Sequence, residues 1–547
     1  MKLLAALSLF PIAVFVCGCA NQTQPTGGPK DEDPPVLLSS LPENGALNFK
    51  NQTIELQFNE MIKESDLQSQ LIITPSVKGK YKSRITRNRL QITFDQPFTD
   101  STTYTLNFRE SIQDVTESNP AKNLVLVFST GSFLDSLGIS GNVLSLLTNK
   151  PAVDFTVAIY SAKDTLNIFN SAPLYATQTT ANGDYQFLNI RSDTYTIYTW
   201  LDKNNDLKCQ SESEPFAFHN QILELDSTIQ EINLKPLLLN IKPLTITSAR
   251  QVGQYYEVRF SKRTNSYLLQ SLNAEDSLYH HYIDENKAIR IYNTLPTNQE
   301  IEFSLTALDS AEHEINDTLR FTFTSNSRPR EPFTVNIIKA NLKTANSEFT
   351  AKIEFNKPLK HFTDTLWTIK VDSSFIPLPK FGPIGIYQPN PLQLEITATF
   401  PDSLIVKKGL SLTMNINSLL SIESDTNSLI TKPIAILNPD NFGTIELLFP
   451  ANSISFKVHL LNGKGVLHNV YSGNSRVLME YLEADQYKIR VVIDTNKDGV
   501  WKAGNFRNRI MPEPVIFFYD KEAKTDIITL KKNWVLGPFV IPLSVDN

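Results

Sequence analysis

The chain is 547 residues long with a net charge of −6, and both values restrict what it can be. That length fits about four to five domains of ordinary size. Basic and acidic residues are interspersed, whereas a nucleic-acid-binding protein needs a basic stripe, so we expect no nucleic-acid partner.

The first residues have the pattern of an export signal. Lys2 supplies a positive charge, and residues 3–16 are largely apolar but too few to span a bilayer. The segment ends at Cys17-Gly18-Cys19, which resembles a bacterial lipobox. The resemblance implies that residues 1–18 are a lipoprotein signal peptide and that Cys19 carries a covalent lipid such as palmitate, the membrane anchor. The alternatives are an ordinary signal peptide and an apolar cytosolic start.

Residues 19–33 are predicted to be the lipidated cysteine and a flexible tether. The tether is expected because this polar, charged segment cannot bury enough apolar surface to fold. Ala20 after the cysteine resembles a signal for sorting to an outer membrane. Lys30-Asp31-Glu32-Asp33 resembles the acidic export signal of Bacteroidota-type lipoproteins, although it lies further from the cysteine. A solvated linker is the alternative. We therefore expect a lipid-anchored outer-membrane protein, at the cell surface rather than the periplasmic face.

Beyond the tether, short segments that alternate apolar and polar residues predict half-buried β-strands. The first set comprises residues 53–59, 89–94, 103–108 and 124–131. A second set in the same order comprises 257–261, 288–292, 301–305 and 319–324. A looser third set comprises 351–356, 392–396 and 411–416. The recurrence predicts repeated β-sandwiches of about a hundred residues each.

The first set stands within a longer pattern that resembles a known family. The pattern includes Pro34-Pro35-Val36, Leu41-Pro42-Glu43-Asn44-Gly45-Ala46, Leu56-Gln57-Phe58-Asn59-Glu60, Thr102-Thr103-Tyr104 and Phe128-Ser129-Thr130-Gly131. It is similar to the bacterial Ig-like domain first named for S-layer proteins, over residues 34–131. The second and third sets, at 240–327 and 333–438, lack the opening Pro-Pro and the closing Thr-Gly, so their Ig-like assignment depends on strand order alone.

A second type of module occurs twice. Strand-like residues 194–202 and 486–494 each lead into an acidic turn, Asp202-Lys203-Asn204-Asn205-Asp206 and Asp494-Thr495-Asn496-Lys497-Asp498-Gly499. Residues 138–236 and 442–542 resemble the carboxypeptidase-regulatory, transthyretin-like sandwich, which implies a small supporting module without peptidase activity. The predicted fold class is all-β: tandem Ig-like and transthyretin-like sandwiches. We name them modules 1 to 5, at 34–131, 138–236, 240–327, 333–438 and 442–542; the sequence leaves their arrangement open.

The two acidic turns are the sharpest candidate sites. Carboxylate and amide oxygens at alternate positions suit a hard cation such as Ca²⁺. The candidate ligands are Asp494, Asn496 and Asp498 in one turn and Asp202, Asn204 and Asp206 in the other. The second turn has Leu207 where the first has Gly499, and Lys502 takes the place of a further oxygen ligand in the first. The alternative is a turn whose side chains bond their own backbone. No other cofactor is expected.

The sequence predicts no catalytic residues and no enzyme. Gly-x-Ser-x-Gly and phosphate-loop motifs are absent from the sequence. Cys209 is the only cysteine left after the signal and the lipidated position, and nearby Glu212 and Glu214 would raise its pKa. His280 and His281 adjoin in a predicted strand, where neighbouring side chains point to opposite faces and do not share a metal.

Three functions compete. We favour a non-catalytic scaffold at the outer membrane that binds other outer-membrane or surface proteins, as an accessory subunit of a machine that assembles or exports membrane proteins. The alternative is a surface adhesin or glycan-binding lipoprotein, which predicts exposed aromatic side chains. An enzyme comes last, and no small-molecule substrate is evident. The assignment to such a machine depends on analogy with large lipoproteins that have no catalytic activity.

Overall fold

The computed structural model describes residues 31–272, 278–294, 299–405, 409–450 and 454–543. Its regular structure is almost entirely β-strand, which confirms the all-β prediction. The helices of the described residues are single turns: α1 (Leu67–Gln70), α2 (Asp402–Ile405) and three 3₁₀ turns at Asp364–Leu366, Leu378–Phe381 and Pro439–Asn441. The chain folds as two compact units, Met1–Asp135 and Ser136–Asn547.

The first unit is a sandwich in which the alternating pattern buries every second side chain. Its strands are β1 (Leu37–Leu41), β2 (Thr53–Phe58), β3 (Ile62–Glu64), β4 (Ile72–Thr74), β5 (Tyr81–Thr86), β6 (Arg89–Phe94), β7 (Thr103–Asn107), β8 (Ile112–Asp114) and β9 (Val125–Ser129). One sheet has the order β1-β2-β6-β5 and a second the order β4-β7-β9. Ile54, Leu56 and Phe58 of β2 are fully buried between them. The strands predicted for this region are confirmed.

Modules 2 and 5 repeat one topology within the second unit. Module 2 contains β10 (Leu137–Asn142), β11 (Thr156–Ser161), β12 (Tyr175–Gln178), β13 (Asp184–Ile190), β14 (Thr194–Trp200), β15 (Phe216–Phe218) and β16 (Leu223–Glu224). The strands of module 5 are numbered after those of modules 3 and 4: β35 (Gly443–Leu448), β36 (Ser455–Asn462), β37 (Leu467–Ser472), β38 (Arg476–Leu482), β39 (Gln486–Asp494), β40 (Val515–Phe517), β41 (Ile528–Thr529) and β42 (Val535–Val540). The sheet β12-β11-β14-β15 matches β37-β36-β39-β40, and β16 and β41 pair with β14 and β39. In both copies an acidic turn follows the central strand.

Modules 3 and 4 are two-layered sandwiches that contain the predicted second and third strand sets. Module 3 contains β17 (Ile246–Val252), β18 (Tyr255–Phe260), β19 (Ser266–Ser271), β20 (His280–Ile283), β21 (Ala288–Tyr292), β22 (Glu300–Leu308) and β23 (Glu314–Thr322). Module 4 contains β24 (Val335–Lys343), β25 (Glu348–Phe355), β26 (Leu359–Phe362), β27 (Trp367–Val371), β28 (Ser374–Pro377), β29 (Gly385–Asn390), β30 (Gln393–Thr399), β31 (Ser411–Met414), β32 (Leu419–Ser421), β33 (Ile430–Pro433) and β34 (Ala435–Leu437). The sheets of module 3 run β17-β18-β21-β20 and β19-β22-β23, which leaves β20 at an edge.

Candidate functional site

The predicted anchor lies at the start of the chain. Cys19 and the tether up to Lys30 lie outside the described residues, so lipidation stays a prediction. The described chain begins at the acidic cluster, where Asp31, Glu32 and Asp33 are exposed. The backbone carbonyl of Asp31 accepts a hydrogen bond from Asn119 Nδ2 at 2.8 Å. Among the described residues, no helix is both long and apolar enough to cross a bilayer.

The acidic turn of module 2 is held together by hydrogen bonds to its own backbone. Asp202 Oδ1 accepts from the N–H of Asp206 at 3.2 Å, and Oδ2 accepts from Leu207 at 3.0 Å. Asn204 Nδ2 donates to Asp206 Oδ2 at 3.0 Å. Burial raises the pKa of Asp202, and the nearby Asp206 adds to this effect. The alternating polar residues therefore close the turn, as expected of side chains that bond neighbouring backbone.

The turn of module 5 repeats these contacts position by position. Asp494 Oδ1 accepts from Asp498 at 3.2 Å, and Oδ2 accepts from Gly499 at 2.9 Å. Asn496 Nδ2 donates to Asp498 Oδ2 at 2.9 Å. Gly499 has φ +81°, the left-handed region that favours glycine, and Leu207 adopts φ 57° at the matching position. The missing glycine in module 2 therefore does not change the turn.

A buried glutamate also stabilises each turn by accepting backbone hydrogen bonds. The sequence patterns did not predict these two residues. Glu214 is 2% exposed and accepts from the backbone N–H groups of Lys203 and Gln210 at 3.0 and 2.8 Å. Glu513 is 6% exposed and accepts from Thr495 and Lys502 at 2.7 and 2.8 Å. Both glutamates precede a proline just before the next strand. That shared Glu-Pro is the signal that could have found them.

Calcium binding at the two acidic turns stays a prediction. Their acids lie in the right alternation, but Lys502 Nζ stands 3.2 Å from Asp498 Oδ2, where a cation would compete with it. In the parts of the chain that the structure describes, no three His, Cys, Asp or Glu side chains form a metal-binding group. A calcium ion would therefore depend on Asn and backbone oxygens beside the two aspartates of each turn.

Cys209 lies beside the acidic turn of module 2 and is 6% exposed. Burial raises the pKa of its thiol, and Glu214 and Asp202 raise it further. The predicted direction is confirmed, with burial as the larger cause. A thiol held in its protonated form is a poor nucleophile, so the site gives Cys209 a packing role.

A segment of module 5 packs against module 2, although the two modules are far apart in the sequence. We call residues 501–511, which follow the acidic turn, the clasp. The ring of Phe506 enters an aromatic pocket of module 2, with centroids 4.8 Å from Phe169 and 5.5 Å from Phe218. Arg509 donates to the carbonyls of His219 and Asn220 at 2.6 and 3.1 Å. Burial of these rings makes this junction mainly apolar.

The cluster around the clasp also includes module 3. Ala311 of module 3 is buried in the same apolar cluster as Trp200 and Ala503. Beside it, Asn505 Nδ2 donates to Glu312 Oε2 at 3.2 Å. Modules 2 and 3, which are consecutive, therefore meet the distant module 5 at one point.

Modules 3 and 4 meet where Tyr255 of module 3 contacts a cluster of charged side chains in module 4. The side chain of Lys357 is 1% exposed and lies 2.6 Å from Glu423 Oε2 and 2.5 Å from Asp425 Oδ2. Burial acts to lower the pKa of the Lys357 ammonium, but its hydrogen bonds to Asp425 and Glu423 outweigh it and leave the pKa raised. We call Lys357, Glu423 and Asp425, with Tyr255 of module 3, the ionic junction.

The ionic junction crosses between modules at Tyr255. Its hydroxyl donates to Glu423 Oε2 at 3.4 Å, and its ring packs against Tyr292 and Ile422. Arg330, in the linker between the modules, adds an ion pair to Glu423 at 3.3 Å. The tyrosine therefore connects the charge cluster of module 4, in which Lys357 and Glu423 are buried, to Tyr292 of module 3.

The fold defines this chain as a tandem β-sandwich protein. Residues 31–130 match the model of the family described as the bacterial Ig-like domain, which confirms the resemblance read from module 1. The chain has no match among the curated proteins.

Solved structures similar to this chain include cell-surface proteins. An S-layer protein, rSbsC(31-844), is 11% identical with a TM-score of 0.15, and the match covers 85% of this chain and 64% of the other. BcpA, the major pilin subunit of Bacillus cereus, is 8% identical with a TM-score of 0.13, covering 74% and 98%. Latent PorU from Porphyromonas gingivalis is 10% identical with a TM-score of 0.21, covering 49% and 34%. With scores this low, these likenesses carry no argument about function.

Proposed function

We propose that this protein is a non-catalytic lipoprotein of the bacterial outer membrane that binds other envelope proteins through a rigid array of β-sandwiches. The lipobox-like Cys17-Gly18-Cys19 supports the anchor, and the acidic cluster before module 1 supports exposure at the cell surface. The bacterial Ig-like match over residues 31–130 supports the first module. We further propose that modules 2 and 5 are transthyretin-like.

The joining of the second unit by contacts between distant modules is the observation that carries this proposal. Phe506 reaches a pocket more than 300 residues earlier in the chain, as the hydrogen bond from Arg509 to Tyr198 over 311 positions illustrates. Tyr255 of module 3, which packs on Ile422 and donates to Glu423, forms a second junction with module 4. Locked modules present loops from several sandwiches in a constant geometry, which suits a binding surface because little conformational entropy is lost on association.

The finer proposal is an accessory subunit of an outer-membrane machine that assembles or exports proteins. Crosslinking in native membranes followed by purification in mild detergent tests it. We expect one β-barrel membrane protein to co-purify in stoichiometric amount. A monodisperse monomer without a partner would count against the machine while leaving the anchor untouched.

The anchor has its own experiment. We expect Cys19→Ser to move the protein from the membrane fraction to the soluble fraction after a carbonate wash, since one cysteine holds all the acyl chains. Cys209→Ser is the matched control, because Cys209 lies buried beside a turn and carries no lipid in this proposal. Membrane retention of the Cys19→Ser variant would reject lipid anchoring.

A further inference from the structure

A groove between modules 3 and 4 is the feature that the scaffold role does not use. It lies between the edge strand β20 and the turn that joins β29 to β30, and has a volume of about 670 Å³. Binding sites for small ligands span roughly 300–1,000 Å³. Tyr267, His280 and Tyr282 line one wall. Glu354, Asn390 and Gln393 line the other.

The groove continues past the turn. A second hollow of about 440 Å³ shares Asn390 and Pro391 with the first. Tyr279 lines this extension and is 42% exposed, so its ring is open to a ligand. The two hollows therefore adjoin at this turn, and aromatic side chains line both.

One side chain that lines the larger hollow has an unpartnered polar atom. His281 lines it and is 8% exposed. Its Nδ1 is buried and has no hydrogen-bond partner among the described residues. A buried polar atom without a partner costs free energy, so in native proteins it usually points to a missing water or ligand.

The opposite wall presents a prearranged row of hydrogen-bonding groups. Asn390 Nδ2 donates to Gln393 Oε1 at 2.9 Å, and Gln393 Nε2 donates to Glu354 Oε1 at 3.0 Å. Each amide fixes the next, so the free donors and acceptors keep constant directions. On the aromatic wall, the Tyr267 hydroxyl and His280 Nδ1 form a similar pair at 2.7 Å.

Most of the groove is uncharged at neutral pH. Burial lowers the pKa of His280, and burial with Arg290 and His280 lowers that of His281 to about 4. Burial also raises the pKa of Tyr267 and Tyr282. Glu354 is the one carboxylate among the residues that line the larger hollow, and it repels anions.

We propose that this groove binds a neutral oligosaccharide. Sugar rings have an apolar face that stacks on aromatic side chains and a rim of hydroxyls that pair with amides and carboxylates, and both kinds of group face each other here. A largely neutral groove fits a chain of neutral sugars better than an acidic polymer. This inference is independent of the scaffold role, because the groove lies away from the clasp and the lipid anchor is not needed for it.

Isothermal titration of the mature protein with neutral tetrasaccharides of glucose, mannose and xylose tests the proposal. We expect at least one to bind, and binding to weaken roughly tenfold in Gln393→Ala, equivalent to the loss of about one hydrogen bond. Tyr267→Phe, which removes only the hydroxyl, should weaken binding less. Thr318→Ala, an exposed change in β23 at a residue that does not line the groove, is the matched control and should bind normally.

Three results would overturn the proposal. The first is that no neutral tetrasaccharide binds. The second is that binding is unchanged in both groove variants, which would place the site elsewhere. The third is that only tetragalacturonate, or a short peptide of alternating Thr and Val that could pair with edge strand β20, binds to the groove. Circular dichroism and the Tm of each variant verify that the fold is intact, and none of these results bears on lipidation or on a membrane partner.

Discussion

The clasp and the ionic junction both join modules, but the clasp depends on apolar contacts and the ionic junction on charged and polar ones. At the clasp, aromatic rings around Phe506 exclude water, and the stabilisation grows with the apolar area buried. At the ionic junction, Lys357 and Glu423 are buried while Asp425 is 40% exposed, so the attraction among the charges must offset the cost of removing the first two from water. One folded unit can therefore contain junctions that differ in their sensitivity to mutation and to pH.

Removing the buried ammonium should have the largest effect. We expect Lys357→Met to destabilise module 4 by about 3 kcal/mol, because Glu423 stays buried with only Arg330 as a cationic partner. Hydrogen exchange in β26 and β32, which adjoin these residues, measures the loss locally.

Lys352→Met is the matched control in the same module. Lys352 is 37% exposed and lies 3.8 Å from Glu395, so its loss should cost less than about 1 kcal/mol. Equal effects of the two substitutions would show that burial does not strengthen the ionic junction.

Truncating the clasp should come next. We expect Phe506→Ala to destabilise the clasp by about 2 kcal/mol, because the partly buried ring leaves an aromatic-lined cavity. Trypsin cleavage after Arg507 and Arg509 should become faster as the segment detaches. Tyr519→Ala, at a residue 56% exposed in the same module, should not change the cleavage rate. Unchanged cleavage in Phe506→Ala would mean that the clasp is held elsewhere.

Acid should weaken another contact between modules 5 and 2, which lies outside the clasp. Arg490 Nη2 donates to His459 Nδ1 at 2.9 Å while Arg490 Nη1 reaches the carbonyl of Leu147 in module 2 at 2.8 Å. Burial, and then Arg490, lowers the pKa of His459 from 6.5 to about 4.

The unfolded chain therefore binds more protons in that window, and stability falls as the pH drops from 6.5 towards 4. His459→Gln, which keeps an acceptor but does not titrate, should flatten this part of a Tm-against-pH profile. A profile identical to that of the wild type would assign the acid sensitivity to other groups.

Alkali should weaken the ionic junction instead. The pKa of Lys357 is raised above 10.5 in the folded protein, so its contribution is complete below that pH and is lost as the pH rises through the folded value. Hydrogen exchange of β26 and β32, corrected for its intrinsic pH dependence, should rise above pH 10.5 in the wild type and not in Lys357→Met. The same rise in both proteins would contradict a contribution from this ammonium.

Calcium should give the smallest effect, and only near the clasp. If the acidic turns bind the ion, millimolar Ca²⁺ should raise the Tm by about 2 °C through binding to the folded state. Asp494→Asn should reduce the rise, because Asp494 lies at the start of the turn that leads into the clasp. A Tm that does not respond to Ca²⁺ or to a chelator would identify both turns as purely hydrogen-bonded structures.

The sequence alone determined the strands, the module repeats and the acidic turns. Period-two alternation places Ile54, Leu56 and Phe58 on one face, and the structure buries all three. The two Asp-x-Asn-x-Asp turns follow matching central strands, as their spacing predicted. These features depend on residues close together in the chain, so local patterns were sufficient.

How the modules join and where the groove lies depend on tertiary contacts. Phe506 and Lys357 sit in irregular segments with no periodic signal, and their partners are distant in the chain, so the sequence does not show that Phe506 docks on module 2 or that Lys357 is buried. The groove likewise pairs an edge strand of one module with a turn of another. Such contacts depend on the complementarity of two folded surfaces, which a single sequence does not reveal.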